Sequence, residues 1–239
     1  MKIAIMQPYF MPYIGYWQLM NAVDKYVIYD DVNYINRGWI NRNRILVGGE
    51  VKYFNVCMVG ASQNRKINEI QIDSNSKLIS KKLKTIEYAY KKAPYFNQVF
   101  PIIESILSFK NRNLALYIEN SIYSICDYLD IETEIIISSS LNKNNKLKGK
   151  EKIINICKIL EATEYYNALG GQKLYSYEEF KSCGIKLKFL KSDNITYQQL
   201  GNEFQADLSI IDVIMFNSKE QVVDMLLHKF AIIDESVVS

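Results

Sequence analysis

Histidine is almost missing: the chain of 239 residues has one, His228. There are four prolines and four cysteines, and Cys57, Cys126, Cys157 and Cys183 lie far apart with no CxxC pair. One histidine leaves no His-based metal site and hardly a Ser–His–Asp triad. Scattered cysteines, three of them inside apolar periodic segments, read as small buried hydrophobes in a reducing cytosol and exclude a disulfide framework or a zinc site. No run approaches the roughly 18 apolar residues of a membrane span. The start, MKIAIMQPYF, is too quickly interrupted by polar residues and proline for a signal peptide, so a cytoplasmic protein is expected. Charge of one sign is also lacking. The net charge is +3, so a long phosphate-tracking surface is not indicated, although a local basic cluster is compatible with it.

What is present is apolar mass and aromatic rings, 49% and 13% of residues, enough for a sizeable core. Lys2–Met6 reads as a buried strand, 14–23 as a helix and 25–29 as a second strand, with a loop carrying two prolines and three aromatics at 7–13. Strand, loop, helix and strand make a βαβ unit, which implies a parallel sheet with its ligand crevice at the carboxyl ends of the strands. Residues 7–13 and 30–44 follow those ends. Gly48-Gly49 predicts a turn joining 44–47 to a strand at 51–59. An edge strand is expected at 67–72. Asp73 or Ser74 is expected to cap a helix to about Lys92. Helices are expected at 96–109, 114–129, 150–160, 176–183, 209–216 and 219–230, and strands at 134–138, 164–168 and 186–190. The sum is one α/β domain over 1–239: a mainly parallel, Rossmann-like sheet flanked by helices, with a helical insert around 74–130.

Candidate chemistry concentrates between Met6 and Leu46. Asp30-Asp31 ends the second strand, and strand alternation sends at most one of the two carboxylates into any one crevice; the ordinary alternative is a turn cap. Arg37, Arg42 and Arg44 interleave with Asn36, Asn41, Asn43 and Trp39. Guanidinium forks grip phosphates in pairs of bonds, and rings beside them stack bases, so a nucleotide diphosphate is the natural guest; the alternative is a solvated loop. Gln7, Tyr9, Tyr13, Tyr16, Trp17 and Tyr34 add flat faces with polar edges, suited to sugars and bases, although Trp17 reads better as core. Asn167, Gly170 and Gly171 form a strand end running into a Gly-Gly turn, where backbone amides can approach a ligand. Ser209 and Asp212 fit a helix cap, and Asn217 follows the same helix. Any acid–base step falls to Asp, Glu, Tyr or Lys.

The segments MQPYFMPYIGYW, VIYDDVNYINRGWINRNRIL, YNALGGQKLY and LSIIDVIMFN, in that order, resemble the WbqC-like protein family over almost the whole chain. The resemblance implies a bacterial cytoplasmic protein of surface-polysaccharide (O-antigen, lipopolysaccharide) biosynthesis. It implies modification of a nucleotide-linked amino sugar by N-acyl or aminoacyl (glycine-type) transfer. It carries over to Gln7, Pro8, Tyr13, Asp30, Asp31, Arg37, Asn41, Arg42, Asn43, Asn167, Gly170, Gly171, Ser209, Asp212 and Asn217, with Met6 standing where many members have His. Asp30 or Asp31 is the expected base. The acyl donor stays open among an acyl carrier, coenzyme A, aminoacyl-tRNA and ATP plus free acid. The expected partner is a nucleotide sugar, with tRNA only as a donor and self-association open. The rival readings are an ATP-dependent ligase or nucleotidyltransferase and a non-catalytic nucleotide-sugar or RNA binding protein.

Overall fold

A computed structural model describes residues 1–73, 75–201 and 203–235. The chain runs β1 (Lys2–Met6), α1 (Ile14–Asn21), β2 (Lys25–Ile28), β3 (Arg42–Val47), β4 (Glu50–Asn55), β5 (Met58–Val59) and β6 (Gln71–Ile72). Three helices follow, α2 (Ser76–Tyr90), α3 (Phe96–Leu107) and α4 (Leu114–Leu129). The second half is β7 (Glu134–Ile137), α5 (Gly149–Ile159), β8 (Glu164–Ala168), α6 (Tyr177–Ser182), β9 (Lys186–Ser192), α7 (Ile210–Phe216), α8 (Lys219–His228) and β10 (Phe230–Ile233).

Six strands form the main sheet in the order β10-β9-β8-β1-β2-β7. All neighbours are parallel except the edge pair β10–β9, so the architecture is the expected Rossmann-like one. The chain steps outward from β1 to β2 and β7, then returns through α5 to place β8 on the other side of β1. The strand order therefore reverses between β1 and β8, where doubly wound sheets open a crevice at their carboxyl ends.

Alternation along each strand divides the interior in two. Ile3, Ile5, Val27, Tyr165, Leu187 and Phe189 pack with Ile153, Ile156 and Phe180 of α5 and α6. Ala4, Tyr26, Ile28 and Tyr166 point the other way, into the larger core built by α1 to α4, α7 and α8. The helices at 76–129 thus share a core with the sheet.

The diglycine turn behaves as predicted. Gly48 and Gly49 take φ of +61° and +83°, and Val47 pairs with Glu50 across them, the left-handed turn a two-residue hairpin needs. Other expectations are corrected. The hairpin's second strand stops at Asn55; residues 58–59 pair instead with 71–72. The edge strand expected from 67 begins as a 3-10 turn at Ile67–Glu69, because Ile67 and Ile70 are both buried, a spacing a flat strand cannot satisfy on one face. Asn75 caps α2 by accepting from the Lys77 amide, while Asp73 accepts from Asn75 N; the alternative cap Ser74 lies outside the described residues. The last helix ends at His228, and Phe230 opens β10; four residues at an edge are too few to show a period.

The loop after β1 is fixed by its own carbonyls. Met11 has a left-handed φ of 46°, which turns its carbonyl inward. That oxygen accepts from Asn43 Nδ2 at 2.8 Å and from Ser209 Oγ at 2.7 Å. The next carbonyl, of Pro12, accepts from Trp17 Nε1 at 3.1 Å and from Ile210 N at 2.9 Å. Asn43→Ala and Ser209→Ala should each destabilise the protein by about 1–3 kcal/mol. The double variant should lose more than the sum, by at least about 0.5 kcal/mol, because only then is the Met11 oxygen left without a donor. Urea unfolding measures this, and strict additivity would refute the shared joint.

Candidate functional site

Beside the carboxyl end of β1 the loop 7–13 faces the segment 39–44 and Asp207 across a cleft of about 300 Å³, lined by Tyr9, Pro12, Tyr13, Trp39, Asn43, Arg44 and Asp207. A second hollow of about 370 Å³ shares Tyr13 and Asp207 and continues past Ile14 to Asp193 and Tyr197, beyond the end of β9. Tyr13 is held over the first turn of α1 because Gly15 has no side chain: a Cβ there would lie 2.5 Å from the Tyr13 ring. Burial raises the pKa of Tyr9 and Tyr13, aided by Tyr13 and Asp207 respectively, so both phenols stay protonated and can donate.

Arg44 spans the cleft. Its Nη2 donates to the Asp207 carbonyl at 3.0 Å and its guanidinium sits 5.7 Å from the Trp39 ring centre. Its Nε is buried and has no hydrogen-bond partner among the described residues. Asp207 has a left-handed φ of 54°, which an aspartate tolerates better than most residues. Its side chain is exposed and is not engaged by the scaffold among the described residues.

The other two arginines are turned to different work. Arg42 donates through Nε to the Gly38 carbonyl at 3.1 Å and through Nη2 to the Arg37 carbonyl, with its guanidinium 4.4 Å over the Tyr53 ring. Arg37 is exposed at the loop tip. Asn41 and Tyr34 are scaffold too: Tyr34 Oη donates to Asn41 Oδ1 at 2.8 Å and Asn41 Nδ2 donates to the Val56 carbonyl at 3.0 Å. Of the three arginines expected to grip a diphosphate, only Arg44 is among the residues lining the cleft, where Asn43 and Trp39 accompany it.

Asp30 and Asp31 are buried, 3% and 6% exposed, and both carboxylates are engaged. Asp30 accepts from Asn68 Nδ2 at 3.0 Å and Ser139 N at 2.9 Å. Asp31 accepts from Ser138 Oγ at 2.7 Å, and its Oδ2 pairs with Lys152 at 2.8 Å and Lys143 at 3.1 Å. Burial alone would raise the pKa of Asp31; the bonds from Lys152, Ser138 and Lys143 outweigh it and hold the carboxyl below the usual range. Lys143 and Lys152 were not legible as partners, one in a polar loop and the other on a helix; a lysine at a core-facing helical position was the only signal.

Asn167 accepts from Ala168 N at 2.7 Å and donates to Tyr165 Oη at 3.2 Å. A Cβ at Gly171 would crowd the Asn167 side chain at 3.0 Å, whereas Gly170 is open. Asn167 shares the α5–α6 face with Tyr165, so this group is not among the cleft's lining residues. Gln7 is half-buried, and its carbonyl accepts from Tyr16 Oη at 3.2 Å. Asp212 is fully buried and accepts from Tyr90 Oη at 3.0 Å, Tyr197 Oη at 2.8 Å and Gln199 Nε2 at 2.8 Å. Burial raises its pKa against those bonds, and its role is to tie the segment carrying Tyr197 and Gln199 to α7. Asn217 Nδ2 donates to the Val213 carbonyl at 2.8 Å and ends α7. His228 is exposed and pairs with Asp224 at 2.9 Å.

The profile of the WbqC-like protein family matches residues 7–224, and the chain belongs to that family. It is 30% identical over 231 residues to a Mycobacterium tuberculosis (strain ATCC 25618 / H37Rv) protein called "Uncharacterized protein Rv1507c", covering 95% of this chain and 98% of the relative. No solved structure matches.

The Asp31 cluster sets a pH-dependent stability. Asp31→Asn strands two buried ammonium groups and should cost about 3–5 kcal/mol at neutral pH. The folded carboxyl stays charged to lower pH than an unfolded one, whose pKa is about 3.9. Its stabilisation is therefore present above that value and is lost as pH falls through the lower folded value. In urea melts the gap between wild type and variant should be constant at higher pH and close in acid; a gap that widened in acid would contradict the pairing.

Proposed function

Starting from a WbqC-like protein, we propose an enzyme that transfers an acyl or aminoacyl group to the amine of a nucleotide-linked amino sugar. The observation that supports this reading is the cleft beside β1, which combines three aromatic rings, one guanidinium and one unengaged carboxylate. Tyr9, Tyr13 and Trp39 offer faces to a base or sugar ring. Arg44 supplies the cation for the diphosphate, and its unpaired Nε is a donor that a phosphate oxygen would satisfy. The adjoining hollow, reached past Tyr13 and Asp207, has room for the rest of the sugar.

The base is assigned to Asp207 in place of Asp30 or Asp31. Asp30 is held by Asn68 and Ser139, and Asp31 by two lysines and a serine, and neither is among the residues that line the cleft. In the reaction the sugar nitrogen attacks the acyl carbonyl carbon, a C–N bond forms and the bond from that carbon to the donor's leaving group breaks. The proton lost by nitrogen passes to the Asp207 carboxylate and on to the leaving group. The donor belongs to one of four classes: an acyl carrier, coenzyme A, aminoacyl-tRNA or ATP plus free acid.

A thermal-shift screen of nucleotide sugars should find an amino-sugar nucleotide that raises the melting temperature by mass action, and Trp39→Ala or Arg44→Ala should abolish the shift. With that sugar and each donor class, mass spectrometry should detect acylated product. Asp207→Asn should lower kcat about 10²–10⁴-fold while leaving the thermal shift intact. Full turnover by Asp207→Asn would remove it as the base. No shift with any nucleotide sugar would remove the substrate class.

A further inference from the structure

The net charge of the chain hides a strong local imbalance. Residues 76–92 hold six lysines (77, 81, 82, 84, 91 and 92) and one acid, Glu87, a sum of +5, while the whole chain is +3, so the remainder carries −2. On α2 and its C-terminal extension these charges are ordered. Lys77, Lys81, Lys84, Tyr88 and Lys91 follow each other at steps of four, three, four and three residues, which places them on one helical face. All five are exposed, and Tyr88 is 67% exposed. The row is about 21 Å long at 1.5 Å per residue. Glu87 borders the row, three residues after Lys84 and four before Lys91, so Lys77 and Lys81 are the part of it with no adjacent carboxylate on the helix.

The row leads into a hollow of about 840 Å³ whose wall includes Tyr88, Lys91 and Lys92, the diglycine turn Gly48-Gly49 and Glu203. Gly49 has nothing within 4 Å of a Cβ position, so bare backbone faces the cleft. The opposite side of α2 is committed to the core: Ile86, Ala89 and Tyr90 are buried, and Lys82 donates to the Asn55 carbonyl. The basic face is therefore rigidly mounted.

We propose that this face is a docking surface for single-stranded RNA. Lys77, Lys81, Lys84 and Lys91 track consecutive phosphates, Tyr88 stacks on a base, and the strand's end enters the 840 Å³ hollow beside the diglycine turn. A row of like charges with an exposed ring set into it matches a polyanion that carries flat bases, and matches a sulfated polysaccharide or anionic lipid less well, since a puckered pyranose offers no planar aromatic face and a lipid headgroup such as phosphatidylserine has no ring. The surface is separate from the cleft of Arg44 and Asp207 and does not depend on the reaction proposed there.

Fluorescence anisotropy with a labelled single-stranded RNA of about twelve nucleotides, within the usual site size, tests it on the intact chain. Affinity should fall with salt at a log–log slope of about −0.7 per phosphate contacted. The variant K77E/K81E/K84E should bind at least about tenfold more weakly and lose about two units of slope, three contacts at about 0.7 each. Tyr88→Ala should weaken RNA binding and leave heparin binding unchanged. All four positions are exposed, so melting temperatures should match wild type, and the nucleotide-sugar shift should persist in each variant. Failure of that shift in wild type bears on the Arg44 cleft alone. Heparin or phosphatidylserine vesicles competing as well as RNA, with Tyr88→Ala silent, would show a generic basic face and overturn the proposal, as would absence of RNA binding at low salt.

Discussion

One carbonyl oxygen sets the geometry on which the site depends. Met11 sits in a left-handed conformation and its oxygen accepts from Asn43 on β3 and Ser209 at the start of α7. Three stretches far apart in the chain, 7–13, 41–44 and 207–212, are drawn to a single atom. Both donors are buried, and a buried carbonyl without a donor costs about 1–3 kcal/mol, so any arrangement that parted these stretches would pay that penalty in addition to lost packing. Since Met11 and Pro12 send their carbonyls inward, the rings of Tyr9 and Tyr13 are left to line the cleft. Backbone bonding fixes the loop, and the side chains are free to meet a ligand.

The backbone conformations carry the same message. Five non-glycine residues among those described have positive φ: Met11, Arg37, Asp130, Glu161 and Asp207. Asp130 is the C-cap of α4 and Glu161 follows the C-cap of α5, the place where helices commonly end in a left-handed residue. The other three have no helix end to explain them. They lie in the three loops that form or border the cleft. Strain kept in place by surrounding bonds is a feature of ligand clamps, and here the bonds are visible: Met11 through Asn43 and Ser209, Arg37 through Arg42, Asp207 through Arg44.

Much of this was legible in the sequence, and the reason is periodicity. The apolar run 2–6, the helical spacing from Ile14 and the apolar run from Lys25 led to the βαβ unit, and Gly48-Gly49 led to the hairpin. The aromatic cluster at 7–13 and Trp39 led to the cleft. What could not be read was the direction of polar side chains. Asn41 and Arg42 looked like ligand-facing groups, yet their polar atoms bond to backbone carbonyls of the scaffold; Asn43 lines the cleft while its amide is held by the Met11 carbonyl; Ser209, read as a helix cap, does cap α7 and also donates to Met11, and Asp212 holds buried phenols. Residue type records a capacity for hydrogen bonding and leaves the partner unspecified. The partners here lie up to 198 residues away, beyond any local pattern. Lys143 and Lys152 failed to register for the same reason. The basic row of α2 was hidden by a different cause, the averaging of a local surplus into a near-neutral total.

The two sides of the sheet's carboxyl edge are used unequally, and the asymmetry bears on where chemistry can occur. On the α5 side, Asp31 is locked between Lys143 and Lys152, with Lys152 also 5.1 Å from the Tyr29 ring centre. Two buried ammonium groups share one carboxylate there, and opening the cluster would expose charges that only each other's presence makes tolerable. Such a group holds β2, β7 and α5 in register and gives up reactivity to do so. On the side of α1 and α7, buried Asp212 is likewise spent on holding Tyr90, Tyr197 and Gln199. That anchor steadies the segment leading to Asp207, whose own carboxylate is not engaged among the described residues. The acidic residues around the two hollows thus divide into buried ones that hold the walls and exposed ones, Asp207 and Asp193, that face the space between them, and burial, rather than position in a motif, is what tells them apart.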